Sequence, residues 1–157
     1  MDKYQEKFMQ KAIELSIVNV ATGGGPFGAV IVKKGEIISD GTNNVTKKND
    51  PTAHAEINAI RNASKKLKNF SLKGCEIYTS CEPCPMCLSA IYWANIDKIF
   101  YANTRKDAAR IGFRDEHIYK ELSTPMKKRM FPLIQVNIKD AKKAFELWEY
   151  KKDKVSY

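Results

Sequence analysis

His54 and Glu56 are separated by a single residue, and Cys84 and Cys87 follow at three-residue spacing, Cys84 thirty residues after His54. Imidazole and thiolate are ligands that zinc prefers. A catalytic zinc site takes three protein ligands and leaves the fourth tetrahedral position to water. His54, Cys84 and Cys87 supply three. Water held there has its pKa lowered to about 7, so hydroxide is available as a nucleophile at neutral pH. Glu56 is then assigned as the general acid and base, taking the water's proton and delivering protons to the substrate. The cofactor expected is one Zn2+ per chain.

Other arrangements use the same residues. Cys81 extends the pattern to C-x2-C-x2-C, and a closed Cys3His site of Cys81, Cys84, Cys87 and His54 would be structural, with no position for water. Cys81 is poorly placed for it, at the end of a strand-like run with Pro83 before the helix. An isolated His54 would read as a buried, hydrogen-bonded imidazole, but its company argues otherwise. A non-catalytic zinc module binding nucleic acid through a basic tail is a reading of a different class. Glu56 discriminates against it, because a structural site has no use for a carboxylate beside its ligand. Cys75 reads as a small buried apolar residue, and His117 as surface or lid.

These residues must be carried to one place. Tyr4 to Val20 has helical apolar spacing, with Asp2 as a candidate cap, and ends before Gly23-Gly24-Gly25-Pro26. Residues 27–32 and 37–43 flank a short turn and predict an antiparallel hairpin. Asp50-Pro51-Thr52 starts a helix, with Thr52 or Asp50 able to cap it, and the apolar positions Ala55, Ile57, Ala59, Ile60, Ala63 and Leu67 give its buried side. Residues 76–80 predict a third strand, 84–94 a helix with Pro83 or Pro85 in its first turn, and 98–102 a fourth strand. Strand, helix, strand order implies right-handed crossovers and parallel pairing. Short helices are predicted around 106–110 and 116–122, a fifth strand over 132–138 and a last helix over 141–152. The fold class expected is α/β: one three-layer α/β/α sandwich on a mixed five-stranded sheet. A single domain spans 1–157, with 140–157 as a C-terminal helix and flap.

Both halves of the metal pattern thus fall at helix N-termini, where the dipole favours thiolate. Cys84 and Cys87, at i and i+3, share one helix face. His54 and Glu56, at i and i+2, would normally point apart, so both reach one metal only if they stand at the mouth of their helix. Two further stretches look like pocket. Phe27 places an aromatic ring beside flexible glycine backbone, to stack on a planar base or to pack in the core. Asn43 and Asn44 offer donor and acceptor together, suited to the edge of a base or to a turn.

The composition fits one globular domain: 157 residues, 43% hydrophobic and 10% aromatic. No apolar run is long enough to span a membrane. The opening residues lack the apolar centre of a leader peptide, so the expected location is the cytoplasm, where four cysteines argue for metal or catalysis before disulfides. The net charge is +9, and residues 127–157 hold 9 basic against 4 acidic side chains. A basic tail can touch nucleic acid or simply be solvated.

The pattern H-x-E…P-C-x-x-C is that of zinc deaminases, and the chain resembles the cytidine deaminase superfamily, within it most closely bacterial guanine deaminases. The resemblance rests on Gly25 to Val32, Asn43-Asn44-Val45-Thr46, Asn49 to Glu56, Tyr78 to Cys87, Ala90 to Ala94, Gly112-Phe113, Asp115, Ile118 to Glu121 and the final tyrosine. It implies hydrolysis of guanine to xanthine and ammonia. It implies that Asn43 binds the purine edge, Phe27 packs on the ring, the backbone at Ala55 helps hold the substrate, and Asp115 recognises the amino side. Tyr157 would end a flap that closes the pocket, in some relatives contributed by the partner of a homodimer. The tRNA adenosine deaminases share the Asp-Pro-Thr-Ala-His-Ala-Glu and Pro-Cys-x-x-Cys blocks. Gly-Pro-Phe-Gly-Ala, Cys81 and the absence of a long basic run on a final helix separate this chain from them.

Overall fold

Alternation along Ala29-Val30-Ile31-Val32 builds the centre of the molecule. In the computed structural model, which describes residues 4–113 and 115–157, these four side chains are buried to both sides of β1 (Gly28–Lys33). Ala29 and Ile31 join one apolar cluster with Ala59, Leu72, Ile77 and Ile91. Val30 and Val32 join another with Phe8, Met9 and Tyr78. A strand buried on both faces needs a layer on each, and helices supply them.

The hairpin partner of β1 is β2 (Glu36–Thr42), antiparallel as predicted, with a register shift at Ile31/Val32. On its other edge β1 pairs antiparallel with β3 (Cys75–Cys81), and β3 pairs parallel with β4 (Lys98–Asn103). The order is β2-β1-β3-β4. The helix α1 (Glu6–Ala21) covers one face; Gln5 holds its N-cap position, and the predicted cap Asp2 lies outside the described residues. The other face is covered by α3 (Ala55–Leu67), which follows the short α2 (Val45–Lys48), and by α4 (Pro85–Trp93). Beyond β4 come α5 (Arg105–Arg110) and α6 (Glu116–Ser123). The three-layer α/β/α class is as expected.

Gly41 brings α3 close to the sheet. A Cβ there would collide with the Ala55 carbonyl and the Ala59 amide, so β2 lies directly against the first turns of α3. That contact sets the height of the helix end carrying His54 and Glu56.

By contact the chain divides into two units, one up to Tyr119 and one over Lys120–Tyr157. In the second, Arg129 ties the chain by donating to the Thr124 carbonyl (2.9 Å) and the Leu122 carbonyl (3.2 Å), a 3-10 turn spans Met126–Lys128, and α7 covers Lys143–Tyr150. The expected fifth strand is corrected here: residues 132–138 pair with no strand among the described residues, and the sheet has four strands. The alternating apolar pattern is present, but Leu133, Ile134, Val136 and Ile138 are exposed, and a strand exists only by pairing. No helix among the described residues is long and apolar enough to cross a membrane.

Candidate active site

His54 occupies the N-cap position of α3 with extended backbone (φ −68°, ψ 159°). Its side chain therefore does not follow helical spacing, and Glu56, inside the first turn, can share its neighbourhood. The requirement set by the i, i+2 spacing is met at the helix mouth. The predicted caps are corrected: neither Thr52 nor Asp50 caps α3. Asp50 Oδ1 instead accepts from the Thr52 N–H (2.8 Å) and hydroxyl (2.7 Å), closing the turn before it. Cys84 occupies the same position on α4 (φ −65°, ψ 167°), with Pro85 opening the helix as expected and Cys87 one turn in.

The two helix ends converge. His54 Nδ1 lies 3.6 Å from Cys84 Sγ and 3.5 Å from Cys87 Sγ. A tetrahedral zinc with ordinary bond lengths sets imidazole nitrogen and thiolate sulfur about 3.6 Å apart, so the residues fit the ion. They form the one group of three or more metal-capable side chains among the described residues. Cys81 is outside it; its thiol faces the Thr104 carbonyl at 3.7 Å, and burial pushes it up to about 12. The closed Cys3His arrangement is not formed.

The protonation of the group fits the same role. A hydrogen bond from Cys87, then one from His54, holds Cys84 at about 4. Cys87 is raised by its bond to Cys84 and by burial, and His54 is raised by Cys84. A metal ion takes these groups as thiolates and neutral imidazole, so its binding releases the protons they hold. Glu56 is 6% exposed, and burial lifts its carboxyl to about 7, a value suited to passing protons near neutrality.

The group opens on a cavity of about 710 Å3 whose wall includes His54, Glu56, Cys84, Phe27, Asn43 and Asp115. Asn43 is buried, and its Oδ1 accepts from the Val45 N–H (3.3 Å), which leaves the amide N–H groups as its donors. Asp115 caps α6: its carbonyl accepts from Ile118 (3.0 Å) and Tyr119 (3.4 Å). Its Oδ1 is buried with no hydrogen bond among the described residues, and burial raises its carboxyl. A buried acceptor without a donor is costly, so it calls for an N–H from a ligand. Phe27 packs against the core and also lines the cavity, edge-on to Phe113 (4.7 Å, 80°).

Ala55 opens α3 with its side chain in the core, where its N–H is one of those without a partner in the helix. Tyr157 is exposed in the second unit. His117 lies on the cavity wall.

Three residues with no role in the sequence reading hold the site together. Glu82 pairs with Arg105 (Oε1 to Nε 3.0 Å) and accepts from its N–H (2.9 Å); Arg105 lies over the Tyr119 ring (4.1 Å); Tyr119 donates its hydroxyl to the Pro83 carbonyl (2.6 Å). This clamp fastens the turn that delivers Cys84. Nothing in the spacing of those three residues announces it, because each partner comes from a different element.

Residues 2–103 match the family described as the cytidine and deoxycytidylate deaminase zinc-binding region. The chain is 51% identical to the guanine deaminase of Bacillus subtilis (strain 168) over 153 residues, 97% of this chain and 98% of that one. The X-ray structure of guanine deaminase from Bacillus subtilis superposes with a TM-score of 0.94, covering 99% of each chain at 50% identity. The tRNA-specific adenosine deaminase of Aquifex aeolicus (strain VF5) is 42% identical over 98 residues, 62% of this chain and 65% of that one.

Proposed function

Because the chain belongs to the cytidine and deoxycytidylate deaminase zinc-binding family, we propose that it is a zinc-dependent guanine deaminase, hydrolysing guanine to xanthine and ammonia. One observation carries the choice of base: likeness to a guanine deaminase runs through nearly the whole chain, whereas likeness to tRNA adenosine deaminases stops at about two thirds of it. The site agrees. Guanine presents N–H donors side by side at its amino end, which suits the unsatisfied Asp115 acceptor. Adenine has an acceptor at the corresponding ring nitrogen.

His54, Cys84 and Cys87 would hold the zinc, which when bound supplies a water acidified enough to attack at neutral pH. Asn43 donates to the purine edge, and Phe27 flanks the ring. The Ala55 N–H, at the positive end of α3, faces developing negative charge. Glu56 takes the proton of the attacking water as the C–O bond forms and delivers it to the ring nitrogen. A second transfer through Glu56 reaches the amino nitrogen as the C–N bond breaks, so ammonia leaves and the carbonyl of xanthine remains. The buried Glu56 supports catalysis over a purely structural zinc module, which needs no such group.

The whole chain is taken as one deaminase domain, with residues 140–157 as terminal helix and flap and Tyr157 closing the pocket. Every side chain from Phe131 to Tyr157 is exposed, among them Phe131, Ile134, Phe145, Leu147 and Trp148. Burial of each such side chain stabilises by about 1.5–3 kcal/mol, which supports a homodimer in which this segment is exchanged. Four free thiols support a cytoplasmic location.

The test is ammonia release from guanine, adenine, cytosine, their nucleosides and a tRNA anticodon stem-loop. Guanine is expected to be the substrate turned over. Turnover of the stem-loop with none of guanine would assign the chain to the tRNA branch, and no release from any of them would remove the enzymatic reading.

A further inference from the structure

Asn19 lies in the last turn of α1 and is 3% exposed. It is neither one of the metal-capable side chains nor itself a residue of the cavity wall. A buried amide without partners would cost about 1–3 kcal/mol, so its partners say what it is for. Asn19 Nδ2 donates to the Gly25 carbonyl (2.7 Å) and to the Asn43 carbonyl (2.7 Å), and Oδ1 accepts from Lys47 Nζ (3.3 Å). The orientation of the amide is dictated by these neighbours: two carbonyls can only accept and an ammonium can only donate. Lys47 is itself held by the Thr22 hydroxyl (3.1 Å), and the Asn19 carbonyl accepts from Gly24 N–H (2.8 Å).

The two carbonyls belong to the two segments that wall the cavity on this side, the glycine loop before Phe27 and the stretch beginning at Asn43. Asn43 N–H in turn donates to the Phe27 carbonyl (3.1 Å), so the segments are joined both directly and through Asn19. The glycines make room for this. A Cβ at Gly24 would fall on the Asn19 amide, and one at Gly25 would come within 3.0 Å of the Asn43 side chain. Neither glycine has a left-handed φ, so space and not backbone freedom requires them.

We propose that Asn19 is the positioning residue for base recognition, setting through the Asn43 backbone the depth at which the Asn43 amide meets the purine edge. The inference rests on Asn43 being a base-edge residue. It predicts an effect on binding and none on the chemistry at Glu56 and the metal.

The test is Asn19→Asp, which keeps the shape and turns two donors into an oxygen facing two carbonyls. KM for guanine is expected to rise about tenfold or more, the worth of one to two such bonds, with kcat within about threefold and zinc content unchanged. In an Asn43→Ala background the same change should add less than about twofold, because residues acting as one unit are not additive. Gly24→Ala, which displaces the amide from the loop side, should give the same split and serves if Asn19→Asp does not fold. An unchanged KM in a folded, zinc-loaded variant would overturn the inference. So would kcat falling with the folded fraction at constant KM, or full additivity with Asn43→Ala. If Asn43→Ala itself leaves KM unchanged, the base-edge reading falls and this inference with it.

Discussion

Glu56 is the residue on which chemistry and burial meet. A carboxyl in that position is costly to keep charged, and its pKa near 7 follows from the loss of water around it. The same burial that penalises the fold gives Glu56 a value suited to the proton transfer proposed for it. Glu56→Gln preserves volume and hydrogen bonding but cannot carry protons. It is expected to retain one zinc per chain by metal analysis and to have an unfolding midpoint at neutral pH no lower than that of the unchanged protein, because the cost of a buried charge is removed, while kcat falls by about a thousandfold. Turnover close to that of the unchanged protein would take the proton-shuttle role away from Glu56.

At the scale of elements, the site is two helix ends brought face to face, each held by something other than the metal. Gly41 seats α3 on the sheet. For α4 the brace is the clamp of Glu82, Arg105 and Tyr119 on the turn before Cys84. Tyr119→Phe removes one hydroxyl that, among the described residues, bonds only to a backbone carbonyl. Groups that orient ligands are worth about 10–100-fold in metal affinity, so this variant should release zinc about tenfold more readily to a chromophoric chelator. Equal release would mean that the turn is rigid without it. Periodicity located α1, the hairpin, α3, β3, α4 and β4, because alternation and helical spacing reflect which face is buried. Residue type and spacing also brought out His54, Glu56, Cys84 and Cys87. Asn19 and Tyr119 stayed hidden for a physical reason: their partners are backbone carbonyls on other elements, and any residue type supplies a carbonyl. Residues 132–138 misled in the opposite direction. Their alternating pattern is that of a strand, but a pattern encodes a buried face and not the identity of the strand beside it.

For the molecule as a whole, the two units differ in kind. The first contains the core clusters and the metal group; the second carries exposed apolar side chains and much of the positive charge. If the flap of one subunit closes the pocket of its partner, two defective chains can repair each other. Glu56→Gln supplies an intact flap, and a chain lacking Val155-Ser156-Tyr157 supplies an intact proton shuttle. Each alone should turn over guanine poorly. After mixing and subunit exchange, activity should appear that neither has alone. If mixing restores nothing although mixed dimers form, each flap serves its own chain.

Every ligand to the metal, Glu56 and both core clusters precede Tyr119. During synthesis, N-terminal portions emerge and fold first. A nascent chain that has emerged through Tyr119 already has the full set of candidate zinc ligands and the strands that position them. Metal loading can therefore come before Lys120–Tyr157 have emerged from the ribosome.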